Sequence, residues 1–263
     1  MLLENKNAVI YGGGGAIGGA VARTFAREGA HVFLAGRTRE KLEAVAREIE
    51  AADGSATVAV LDALDEEAVD EHAREVVERA GSIDVSFNLV TRGDVQQIPL
   101  VEMAAEDFVR PVATGITINF ITARAAARHM IEQGSGVILA LDSGSADGRS
   151  PMMGGTGPAD AATDAFIRNL ASEIGPRGVR VLGIWTAGLP ETLSRENLAP
   201  YLGGQEMDED TFRGLIENLD RMRMTRRSPR LVEVAATAAF LASDQAGAIT
   251  GTFVNVTSGI FPS

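Results

Sequence analysis

Short apolar runs alternate along this chain with longer stretches in which apolar residues recur every three to four positions. The short runs, at 8–11, 31–35, 57–61, 83–87, 137–141, 179–185 and 253–256, have strand length and predict β-strands. The stretches between them predict amphipathic helices, at 16–28, through Lys41, Val45 and Ile49, at 65–79, and as longer helices further on. Strands alternating with helices imply right-handed crossovers and a parallel sheet covered on both faces. The expected fold class is therefore α/β, one doubly wound domain over 1–263. Residues 189–230 break the alternation: they are dense in Glu, Asp and Arg and apolar only at intervals. This segment reads as a helical lid inserted in that domain, with its charged run 206–230 a solvated helix pair.

The first strand runs into Tyr11-Gly12-Gly13-Gly14-Gly15-Ala16-Ile17-Gly18, which opens the first helix. Gly13, Gly15 and Gly18 satisfy G-x-G-x-x-G. Glycines there tolerate positive φ and let backbone N–H groups approach a pyrophosphate at the positive end of a helix. Gly12, Gly14, Gly15, Ile17 and Gly18 are the candidate cofactor-holding positions; a tight turn without ligand is the alternative. The sheet then becomes Rossmann-type. At the end of the second strand stands Arg37, where an acid would bind the ribose 2′-hydroxyl of NAD. A guanidinium suits a 2′-phosphate instead, so the expected cofactor is NADP(H) in preference to NAD(H).

Composition narrows the chemistry. The 36 acidic against 24 basic side chains, net −12, argue against nucleic acid as a partner. The absence of cysteine excludes disulfides, thiolate metal sites and cysteine nucleophiles. With no apolar run long enough for a membrane span and no apolar leader, a cytoplasmic protein is the expectation. Two scarcities matter more. The only tyrosines are Tyr11 and Tyr201, and the only lysines Lys6 and Lys41. No phenol or ammonium is available between residues 42 and 200.

From about Asn7 onward the chain resembles the short-chain dehydrogenase/reductase family. The glycine run is similar to that family's T-G-x-x-x-G-x-G, with Tyr11 at the threonine and Ala16 at the middle glycine. Asp62 resembles its adenine-contacting aspartate, and Asn88 the first residue of its N-N-A-G, the rest here being Leu89-Val90-Thr91. Gly175 to Val181, Ala187-Gly188 and Ser243-Asp244 through Thr250-Gly251 resemble its later segments. The resemblance implies cofactor contacts at Asp62, Asn88 and Gly188. It also implies a homodimer or homotetramer, pairing through helices around 106–132 and 156–174, whose faces are alanine-rich.

Members of that family carry an Asn, Ser, Tyr and Lys for hydride-transfer chemistry. Ser143 matches the serine, but the tyrosine position holds Thr156, the lysine position Asp160 and the asparagine position Gly115, with Asn119 one turn on. A threonine hydroxyl is a far weaker acid than a phenol of pKa ~10 and cannot deliver a proton near neutral pH. Ordinary carbonyl reduction is thus expected to be weak or absent. The candidate catalytic residues are Ser143, Thr156, Asp160 and Asp142. Thr156, Asp160 and Asp164 share a helix face. Asp160 could accept from ribose hydroxyls, and Asp142 or Asp160 could act as a base. The plainer expectation leaves Asp160 and Asp164 solvated and gives Asp142 a turn to cap. Tyr201, in the lid, is the one phenol placed to substitute for the missing one. Three functions stay open: an NADP(H)-dependent oxidoreductase with a rearranged proton donor, a non-redox isomerase, cyclase or lyase, and a catalytically silent cofactor-binding partner. The sequence names no substrate.

Overall fold

The strands form where the apolar runs sit, and polar residues set their ends. A computed structural model describes residues 1–146, 151–198 and 207–261. In chain order the elements are β1 (Asn7–Tyr11), α1 (Ala16–Arg27), β2 (His31–Gly36), α2 (Arg39–Glu50), β3 (Ser55–Val60), α3 (Glu66–Ala80), β4 (Val85–Asn88) and α4 (Ala105–Gln133). They continue with β5 (Gly136–Asp142), α5 (Thr156–Ile174), β6 (Val179–Trp185), α6 (Arg195–Leu198), α7 (Glu209–Met222), α8 (Leu231–Ala242) and β7 (Phe253–Asn255). The fourth strand starts two residues later than its apolar run. The Asp84 carboxylate accepts hydrogen bonds from the Asn7 amide and the Ser82 hydroxyl, both at 2.8 Å, and this polar hook delays strand pairing to Val85.

The seven strands are parallel in the order β3-β2-β1-β4-β5-β6-β7, as the α/β reading expects. One face of the sheet carries α1, α2 and α8, with Phe25, Leu34, Leu42 and Ala238 in its core. The other carries α3, α4 and α5, around Val69, Ile121, Met130 and Ile167. The direction of winding reverses between β1 and β4, and in such sheets ligands bind beyond the C-terminal strand ends at that reversal. The alanines of α4 and α5 divide between two faces: Ala105, Ala113, Ala161 and Ala165 are exposed, and the others lie inward. Ala123, Ala125, Ala126, Ala127, Ala159 and Ala171 are buried within the chain, where small side chains let helices approach the sheet.

Within the segment 189–230, the run 206–230 departs from the expected solvated helix pair. The segment's described part holds a single 3-10 turn at Pro190–Thr192, the one-turn α6 and the amphipathic α7. Arg223, just past α7, is wholly buried. Its Nη2 donates to the carbonyl oxygens of Ala187 and Gly188 at 2.7 and 3.0 Å, and its Nε donates to Ser228 at 3.1 Å. A side chain in the middle of the charged run thus pins this segment to the end of β6. Among the described residues no helix is long and apolar enough to cross a membrane.

Candidate functional site

Beyond the ends of β1, β2 and β3 lies a cavity of about 250 Å³, lined among others by Gly12, Gly14, Gly15, Arg37, Lys41 and Asp62. Two features make it fit an extended anionic dinucleotide. Gly12 has φ of +79°, and a Cβ there would lie 2.6 Å from the Leu89 carbonyl oxygen. A Cβ on Gly18 would collide with the Gly12 carbonyl oxygen, so α1 can approach the turn only with glycine at that place. Gly15 caps α1 without a side chain, leaving first-turn N–H groups for a ligand. The sequence candidates Gly12, Gly14, Gly15, Arg37 and Asp62 are thereby brought together; Ile17 packs against the adjoining core. Asn88 lies at the end of β4, its Nδ2 donating to Asn119 Oδ1 at 2.7 Å, and Asn119 in turn donates to Thr163. Gly188 stands apart from this cavity, at the end of β6 under Arg223.

The other half of the cleft, beyond β4 and β5, is where expectation and structure part. Asp160 is 0% exposed and far from solvated. Its Oδ1 accepts from Arg92 Nη2 at 2.6 Å, and its Oδ2 accepts from Ser143 Oγ at 2.5 Å, Ser145 N at 2.9 Å and Ser145 Oγ at 2.7 Å. Three donors thus converge on Oδ2 and one, the guanidinium, on Oδ1. Asp160 is therefore a wholly buried, ion-paired carboxylate and not the solvated one that the plainer expectation gave.

Arg92 holds the network together. Its Nε donates to both oxygens of Asp94 at 3.1 Å, while Asp94 accepts from the Thr156 hydroxyl at 2.8 Å. Thr156 in turn accepts from Gln96 Nε2 at 3.1 Å and is buried. Burial alone would lower the Arg92 pKa, but Asp160 and Asp94 outweigh it and hold the guanidinium firmly charged. The room for this arginine is made at position 115: a Cβ on Gly115 would meet Arg92 Cδ at 3.0 Å. Gly115, Asp160 and Arg92 are one exchange, in which a cation enters from the loop after β4 and a carboxylate on α5 receives it. Thr156 and Ser143 both direct their protons to carboxylates and have none to offer a ligand.

Sequence reading missed Arg92, Asp94 and Gln96. One signal was available: Thr156, Asp160 and Asp164 share the face of Ala159 and Ile167, so a carboxylate there is buried and demands a cation.

Asp142 and Asp164 form a second group. Asp142 accepts from the Gly144 amide at 2.9 Å, the turn cap expected of it, and its Oδ2 is buried without a partner among the described residues. Burial, reinforced by Asp160, pushes its pKa up to about 9. Asp164, also buried rather than solvated, accepts from Trp185 Nε1 at 3.3 Å, and burial raises its pKa too. The raised folded pKa of Asp142 means its contribution to stability is full below about pH 4 and is lost as pH rises toward 9. Asp142→Asn is accordingly expected to remove a decline of up to about 1.4 kcal/mol per pH unit across that window. Urea unfolding at pH 5 and pH 8 checks it; parallel losses in both proteins would show that Asp142 is ionised in the fold. Tyr201, Asp147, Arg149 and Ser150 lie outside the described residues.

A family model described as enoyl-(acyl carrier protein) reductase matches residues 14–260. L-rhamnose 1-dehydrogenase (NAD(P)(+)) of Azotobacter vinelandii is 31% identical over 271 residues, covering 99% of this chain and 98% of that protein. The short-chain reductase protein NovJ of Streptomyces niveus is 33% identical, covering 97% of this chain and 94% of that one. Among solved structures, levodione reductase superposes with a TM-score of 0.87 at 26% identity, each chain covered to 97%.

Proposed function

The chain belongs to the short-chain dehydrogenase/reductase family of oxidoreductases, and on that premise we propose that it binds NADP(H), in preference to NAD(H), while ordinary carbonyl–alcohol hydride transfer is weak or absent. The observation that carries the reading is the contrast between the two halves of the cleft. The glycine-floored half keeps its cavity, its bare helix end and two cations, Arg37 and Lys41, at its rim. The other half has no phenol among its described residues, and its serine and threonine protons are engaged by Asp160 and Asp94. When bound, such a cofactor supplies or accepts a hydride. In this chain the Ser143 and Thr156 hydroxyls, engaged by carboxylates, are not set to give a carbonyl oxygen its proton.

Arg37 and Lys41 would hold a 2′-phosphate, Gly12 to Gly18 the pyrophosphate, Asp62 the adenine end and Asn88 the start of the nicotinamide half. The segment 189–230 would act as a lid of the same domain over Gly188. A catalytically silent, cofactor-holding role is the second reading, favoured by the closure of the polar network around Asp160. A homodimer or homotetramer is part of the proposal by family likeness.

Fluorescence titration tests the cofactor. NADPH is expected to bind more tightly than NADH, and Arg37→Ala to weaken NADPH about tenfold while leaving NADH nearly unchanged, the loss of one partly exposed charge-assisted contact. Binding of neither below millimolar concentration would end the reading. A panel of ketones and alcohols followed at the nicotinamide absorbance separates weak turnover from none.

A further inference from the structure

We propose that this site discriminates between the two redox states of its cofactor, holding NADP⁺ more tightly than NADPH through the net negative charge of the Asp94–Arg92–Asp160 trio. The inference rests on the NADP(H) reading above and adds to it a charge preference at the nicotinamide end.

The placement follows from the sheet. The cavity with Arg37 and Asp62 lies over β1, β2 and β3 and ends at Leu89, Val90 and Thr91, the residues immediately before Arg92. Neighbouring strands are about 4.8 Å apart, so a dinucleotide anchored there and crossing the switch point brings its far half over β4 and β5. The loops leaving those two strands carry Arg92, Asp94, Gln96, Ser143 and Ser145, the members of the network other than those on α5.

The charges can be counted residue by residue. Arg92 contributes one positive charge and is paired with two carboxylates, Asp94 and Asp160, leaving the trio one negative charge in excess. The side chains of Arg92, Asp94 and Asp160 are 15%, 11% and 0% exposed, so solvent screens the excess poorly. No other described cation neutralises it. Arg110, packed on Gly93, is engaged by Glu106 and Asp107, and Arg168 faces Asp164. Asp142, kept protonated by burial, adds no charge near neutrality. The oxidised nicotinamide ring is a cation and the reduced ring is neutral, while the rest of the two cofactors is the same. An unscreened negative charge beside the ring therefore favours the oxidised form. A lysine in place of Asp160, with no second cation, would have the opposite sign.

The measurement is the pair of dissociation constants for NADP⁺ and NADPH, by calorimetry on the full chain, in the native protein and in Asp94→Asn. Asparagine keeps an acceptor for Thr156 or Arg92 and removes the surplus charge. The native protein is expected to bind NADP⁺ at least about tenfold more tightly than NADPH, and Asp94→Asn to shrink that ratio about tenfold. Adenosine 2′,5′-bisphosphate, which lacks the ring, is expected to bind both proteins equally; this confirms that the variant's cradle is intact. Measurable binding with a ratio near one, or in favour of NADPH, overturns the inference and leaves the cofactor reading standing. An unchanged ratio in Asp94→Asn overturns it as well. Binding of neither nucleotide removes both.

Discussion

Arg92→Met is expected to lower the free energy of unfolding by about 3–5 kcal/mol, the usual cost of stranding one member of a buried ion pair. Asp160 would keep its three serine-derived hydrogen bonds but lose its counter-charge at complete burial. It would then have to take up a proton or admit water. The double variant Arg92→Met/Asp160→Leu is expected to recover only part of the loss, since it removes the stranded charge of Asp160 but leaves the Ser143 and Ser145 donors without their acceptor and Asp94 without its cation. Urea unfolding at neutral pH reads both, as a shift in midpoint at constant slope. A midpoint unmoved in Arg92→Met would show that the pair contributes nothing to the fold and would weaken the account of the site as an interlocked exchange.

The second large effect concerns restoring the family's residues. Gly115→Asn/Thr156→Tyr/Asp160→Lys puts back asparagine, tyrosine and lysine at the positions that resemble theirs, yet it is expected to yield no carbonyl reduction. With Arg92 retained, the new lysine faces a guanidinium where a carboxylate had been 2.6 Å away, and the new Cβ at 115 meets Arg92 Cδ. Two cations in contact in a poorly hydrated place repel by several kcal/mol. The Thr156→Tyr change would also displace the buried hydrogen bonds of the Thr156 hydroxyl to Asp94 and Gln96. Adding Arg92→Ala removes the clash and the repulsion, and only this fourfold variant is expected to gain turnover, on the order of 10²- to 10⁴-fold from a working general acid. NADPH oxidation with a ketone panel, alongside a melting curve for each protein, gives the result. Equal turnover in the threefold and fourfold variants would mean that Arg92 does not block the site.

The same arginine explains why one half of the site was legible in the sequence and the other was not. The glycine run and Arg37 follow their strands directly, so their positions are set by a local turn and by the period of the flanking elements. The missing phenol and ammonium were legible for a similar reason, since absence over 42–200 needs no geometry. Asp160 was different. The helix face it shares with Ala159 and Ile167 hints at burial, but which cation meets it there is evident only when α5 is laid against α4 and the loop after β4. Arg223 repeats the lesson: in the sequence it is one charge within an acidic and basic run, and in the fold it is wholly buried against the end of β6. The strand ends moved for smaller causes, such as the Asp84 hook that postpones β4.

What the sequence by itself determined was the alternation that builds the doubly wound sheet, the glycine turn at its reversal, and the absence of tyrosine and lysine over 42–200. Each of these is written in neighbouring residues, within the reach of a strand, a turn or a few turns of helix. What only the tertiary structure decided was the fate of Asp160, because its partner Arg92 is 68 residues away and the space it occupies was opened at Gly115. A charge pair depends on distance and dielectric, and neither exists until the chain has packed.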